Sequence, residues 1–166
     1  MMAAMASIFM LTSYFPYLTY AIPAIAGLFV MIAVIETNIK WAVLTYFASA
    51  VITALFAEPE AKMLYVLFFG FYPILKAVFE TLKSRVLEYL FKFAVFNVSI
   101  ILAYGFIAAF IGVSLEDMGD FGKYTSIVLL VAANVVFPIY DMAVSRMASV
   151  YIVRIHPAVN KIFKGK

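Results

Sequence analysis

Polar groups set inside long apolar runs are the residues of this chain that can do chemistry. Asn97 and Asn134 each interrupt such a run, and Asp141 follows Pro138 near the end of the run that holds Asn134. A polar side chain at that depth raises the free energy unless it is paired or put to use. An amide both donates and accepts, so each Asn can hydrogen-bond a ligand, or equally a neighbouring helix. Asp141 can carry a proton through a transport cycle, or form a local ion pair or interfacial cap close to Arg146. Lys76 is expected to reach along its methylenes to the headgroups, the alternative being a buried partner for Asp141.

Aromatic residues supply the second set. Tyr65, Phe68, Phe69 and Tyr72 follow one another along one run, and Tyr104 lies in the next. Flat rings with a few hydroxyl tips can wall a site for a planar heterocycle, or simply pack helices. Gly70 and Pro73 bracket Phe71 and Tyr72, and a proline there removes one backbone bond and can kink the helix beside a cavity. Tyr14, Tyr17, Thr19 and Tyr20 form an uncharged aromatic loop that reads, on composition, as an interfacial belt.

Catalysis finds no support. There is no cysteine and one histidine, His156, so neither thiolate chemistry nor a metal cluster is expected. No nucleophile–base pair and no glycine-rich phosphate loop is present. Glu116, Asp117 and Asp120, with Gly119 and Gly122, read as a solvated loop, the alternative being weak binding of a divalent cation. We therefore expect no enzyme, no cofactor and no metal. The net charge of +3 is spread around apolar segments, which does not make a nucleic-acid surface.

The elements that must position these residues are apolar helices. Of the 166 residues, 67% are hydrophobic, and no charge appears before Glu36; mean hydropathy is +1.07. A water-exposed surface needs more charge than this. The runs cover about 1–15, 20–35, 41–57, 63–79, 87–113 and 124–142, with a basic tail at 145–166. Their lengths and their lack of period-2 alternation predict helices rather than a barrel, because lipid-exposed backbone must bond within its own segment. Residues 1–15 have no leading positive charge, so they read as a first membrane helix rather than a signal peptide, and the natural N-terminus can extend upstream. Between Lys76 and Lys92, Lys76, Glu80 and Lys83 share one helical face while Arg85, Glu88 and Lys92 lie opposite. A break near Ser84 resolves this, leaving Glu88 and Lys92 as an i,i+4 pair in the next helix. The expectation is a single all-α, six-helix polytopic membrane domain.

Charge sets its orientation. With the N-terminus cytoplasmic, the inner side holds ten basic and four acidic residues, net +6, and the outer side two basic and five acidic, net −3. That asymmetry puts both termini in the cytoplasm of a bacterial inner-membrane protein.

Six short helices, cytoplasmic termini and a first helix with the small residues Ala3, Ala4, Ala6 and Ser7, leaving through Phe15-Pro16, resemble the substrate-binding S components of energy-coupling-factor transporters. The usual alanine-x3-alanine spacing is replaced here by Ala3 and Ser7. The segment from Phe68 to Lys76 is also similar to one in uncharacterised clostridial-type membrane proteins. The resemblance implies a small-molecule ligand, such as a vitamin, held near the outer face, with Tyr17, Tyr65, Phe69, Tyr72, Asn97, Tyr104 and Asn134 as its candidate contacts. It implies that the loop at Tyr17 covers the ligand. It further implies that Ala3, Ala4, Ala6 and Ser7 dock a coupling membrane subunit, with two ATPases on other chains. A different class remains open: a non-transporting membrane protein that scaffolds envelope assembly. A solute-sized cavity with polar lining favours the binder, and a filled apolar interior the scaffold.

Overall fold

The computed structural model describes residues 1–15, 18–111 and 124–157, and among these all regular structure is helical. We number six helices. α1 covers Met2–Tyr14 and α2 Ala21–Glu36; α3 covers Ile39–Phe56; α4 covers Pro59–Phe79. α5 spans Arg85–Ile111. α6 spans Thr125–Val150 and runs on through a π-helical turn, Tyr151–Ile155. Helices α3 to α6 are long and apolar enough to cross a membrane; α1 and α2 are shorter.

Local chemistry explains the boundaries. Asn38 caps α3 by accepting from the Trp41 amide at 3.2 Å. Glu58 caps α4 in the same way, accepting from Ala61 at 2.9 Å, and Pro59 occupies the first helical position, where no amide is needed. This cap starts α4 four residues earlier than the expected Met63. The break expected near Ser84 is present, between Phe79 and Arg85. The basic tail expected from 145 is instead helical as far as Ile155, because apolar residues alternate with the charges there and Tyr151 anchors the turn.

The helices alternate in direction, and two sets of contacts mark the two ends. At one end, the Tyr14 hydroxyl donates to the Phe56 carbonyl at 3.1 Å, the Glu58 amide to Ser13 at 3.3 Å, and the Tyr20 hydroxyl to Glu60 at 3.3 Å. We call this the Ser13 end. Burial, with Glu60 adding its charge, pushes the Tyr20 hydroxyl above the usual phenol range. At the other end, the Glu36 end, Tyr151 donates to Glu36 at 2.7 Å and the His156 ring meets the same oxygen at 2.7 Å, tying α6 to α2. α1 is short, yet it joins both ends: Ser13 lies at one, and Met2 packs on Val30, Ala33, Ala42 and Ile74 toward the other.

α4 is the central helix. It contributes Tyr65 to a core shared with α1, α2 and α3, Phe68 and Tyr72 to a core shared with α5 and α6, and Ile74 to the third. A π-helical turn, Tyr65–Phe69, breaks its regularity, and the Gly70 amide bonds the Tyr65 carbonyl at 2.8 Å. Such turns add a residue and re-aim side chains. Here the turn presses the Phe69 carbonyl onto α2 at Gly27, where a Cβ would lie 2.4 Å from that oxygen. Glycine is therefore needed at 27 for the two backbones to cross this closely.

The outside of the bundle is apolar. Trp41, Leu55, Val86, Val135 and Val153 are each at least 60% exposed. A continuous surface of this kind is unfavourable in water and suits hydrocarbon.

Candidate functional site

Between α2, α4, α5 and α6, toward the Ser13 end, lies a cavity of about 450 Å³. The π turn in α4 directs Phe68 and Phe69 into it; α5 contributes Phe96 and Tyr104, and α6 contributes Phe137 and Tyr140. The small residues Ala24 and Ala133 leave the room that larger side chains would fill. Its rings form one connected set, with Phe96 and Phe137 stacked at 4.4 Å and Phe69 edge-on to Tyr140 at 5.1 Å. The volume falls in the range of small-molecule sites, which are mostly apolar with a few placed polar groups.

Tyr140 lines the cavity with its ring, while its hydroxyl is buried behind the wall. The Tyr140 hydroxyl is buried and makes no hydrogen bond among the described residues, a condition shared there only by Thr53 in the α3 core. Leaving a buried hydroxyl unpaired costs about 1–3 kcal/mol.

Below the cavity, toward the Glu36 end, α4, α5 and α6 bring five charges together. Asp141 pairs with Lys76 through Oδ1 and with Lys92 through Oδ2 at 3.2 Å. The Tyr72 hydroxyl donates to Oδ1 at 2.6 Å. Lys76 also meets Glu80 at 2.8 Å, and Lys92 meets Glu80 at 3.2 Å and Glu88 at 2.7 Å. The two lysine side chains are 5% and 2% exposed, so the expectation that Lys76 reaches the headgroups is corrected. Its ammonium turns inward to share Asp141 with Lys92 and to meet Glu80, pairings that offset the hydration a headgroup site would return. Glu88 and Lys92 form the expected i,i+4 pair. The turn at residues 80–84 then folds that pair back onto Glu80, which an isolated helix would have kept on the opposite face.

A second cleft, about 360 Å³, lies on the far side of this charge layer. Met31 and Val34 of α2, Lys76 and Glu80 of α4, and Ser145 and Ser149 of α6 line it. The layer thus separates two cavities.

The residues singled out in the sequence divide among several places. Phe69 and Tyr104 line the larger cavity. Tyr72 sits beneath it, bonded to Asp141. Tyr65 is on the other side of α4, where its hydroxyl and Ser49 share a hydrogen bond of 2.7 Å. Asn97 and Asn134 bond each other reciprocally at 2.9 and 2.8 Å, and each amide also returns to its own helix, at Phe93 and Leu130. Ala6 and Ser7 are buried against α2 and α3, while Ala4 is exposed and Ala3 half-buried. Tyr17 and the acidic loop at Glu116, Asp117 and Asp120 lie outside the described residues. Sequence reading missed Tyr140, Phe96, Phe137 and Ala133 as cavity residues and Lys92 as a partner of Asp141. Only the lysine left a signal, its place in an apolar run one turn from Glu88.

Comparison of the chain with protein-family models, with curated proteins and with solved structures finds no match, so the functional reading rests on this geometry.

Proposed function

We propose that this chain is the substrate-binding membrane subunit of an importer of the energy-coupling-factor type, taking up a small, mostly apolar molecule. The observation that carries the reading is the aromatic cavity of about 450 Å³ between α2, α4, α5 and α6. A filled interior is what a scaffold requires, and the cavity favours the binder.

In this reading all six helices span the bacterial cytoplasmic membrane with both termini inside. The charge asymmetry of the sequence supports that orientation, and the two short helices fit by local thinning of the bilayer. The cavity then lies in the outer half and the charge layer in the inner half. A coupling membrane subunit and two ATPases, on other chains, supply energy. Because Ala6 and Ser7 are used within the bundle, the part of α1 that remains to meet a coupling subunit is the outward stripe of Ala4, Ile8 and Leu11.

The test is the set of small molecules that co-purify with the protein, wild type against Ala133→Trp. The tryptophan fills the cavity without touching the charge layer. A species present with wild type and absent from a folded Ala133→Trp protein supports the reading. Identical profiles, with no bound small molecule in either, overturn it.

A further inference from the structure

The charge layer is more than a clamp between helices. Two ammonium groups, Lys76 and Lys92, serve three carboxylates, Asp141, Glu80 and Glu88, so the cluster carries one negative charge in excess. Asp141 is faced by Tyr72, Lys76 and Glu80 from α4, by Lys92 and through it Glu88 from α5, and has Tyr140 beside it on its own helix. Tyr89 lies 5.8 Å from the Lys92 ammonium. α2 brings only apolar residues, Met31, Val34 and Ile35, to the adjoining cleft.

We infer that this cluster is a proton-binding site, filled from the cleft at the Glu36 end and linked to ligand in the aromatic cavity through Tyr72. This rests on the cavity being a ligand site; the proton site itself does not. Three features support it. The cluster is one positive charge short of neutrality. It has a way in, because Glu80 is 45% exposed and lines the cleft together with Lys76. It also has a link out: Tyr72 donates its hydroxyl to Asp141 while its ring packs on Phe68 at 4.8 Å, Phe137 at 5.6 Å and Tyr140 at 5.7 Å. Those three residues line the cavity.

The step is a proton transfer. A proton from water in the cleft forms an O–H bond on one carboxylate, and that carboxylate gives up part of its hold on a lysine. The three carboxylates share two lysines, so the proton belongs to the set and the cluster titrates as a unit. As the lysines redistribute, Asp141 loosens its hold on Tyr72 and the cavity floor is released. Proton and ligand therefore oppose one another: protonation weakens ligand binding, and ligand binding expels the proton by the same factor.

The experiment uses the full chain in lipid nanodiscs, with 1-naphthol as an aromatic probe carrying one hydroxyl. Affinity for 1-naphthol is expected to fall about tenfold per pH unit through the window of proton uptake. Tyr72→Phe keeps the ring wall and loses the link, so it binds 1-naphthol with no pH dependence. Infrared spectra of the ligand-free protein, recorded as the pH is lowered, show a protonated-carboxyl band in wild type that Glu80→Gln, with two carboxylates left for two lysines, lacks. Glu80 is partly exposed, so this variant folds where loss of Asp141 can unfold the protein. Equal infrared spectra for wild type and Glu80→Gln overturn the proton site. Naphthol binding that is independent of pH in wild type, or equally dependent in Tyr72→Phe, overturns the link. Absence of naphthol binding, with the band present, removes the cavity reading and leaves the proton site.

Discussion

Asp141 holds two lysines and a phenol with two oxygens, and each of those groups comes from another helix. Its removal takes one partner from each buried ammonium and leaves Glu80 and Glu88 to serve both. Asp141→Ala should cost about 3–5 kcal/mol, read as a lowered unfolding midpoint in detergent, whereas Tyr72→Phe should cost about 1 kcal/mol. Equal effects of the two would mean that the charges are hydrated rather than buried. The asparagine pair is a milder case. Each amide is already satisfied, and a double-mutant cycle on Asn97→Leu and Asn134→Leu should give a coupling near ~0.6 kcal/mol. At this scale the sequence was partly legible. It marked Asp141, Asn97 and Asn134 as groups that needed partners. It could not name those partners, because the pairings join residues 37 to 69 positions apart, and only the packing of three helices decides them.

At the scale of elements, the crossing of α2 and α4 positions the cavity. The π turn in α4 aims Phe68 and Phe69 at it, and Gly27 lets the Phe69 carbonyl come close. Gly27→Val should separate the two helices, lower stability and weaken ligand retention together; a Gly27→Val protein with wild-type stability would contradict the crossing. α1 offers a sharper division. Ala6 is fully buried, so Ala6→Leu should destabilise the bundle, while Ala4→Leu on the exposed face should leave the fold intact and weaken association with a coupling subunit. Co-purification of the two variants checks this. Helix existence was readable from hydropathy, and so was the break at Ser84, where the two charge faces disagree. The π turn left no such trace, since its aromatic residues suit a regular helix equally well. The length of α6 was underestimated because Asp141 and Arg146 look like an interfacial boundary, and the buried lysines that neutralise Asp141 come from elsewhere in the chain.

At the scale of the molecule, the six described helices alternate in direction, and a layer of charge lies between the aromatic cavity and the second cleft. The absence of cysteine makes the orientation directly measurable. Single cysteines at Lys40 and Arg154, both toward the Glu36 end, should be labelled by a membrane-impermeant reagent only after the cells are opened, and one at Lys62 in intact cells. Labelling of Lys40→Cys and Lys62→Cys from the same side would contradict six spans. The central claim is that the aromatic cavity holds a ligand, and native mass spectrometry of the protein gently extracted from its own host tests it most directly. The account predicts one bound small molecule, together with a coupling subunit and ATPases. A ligand-free protein carrying envelope-assembly partners would contradict it.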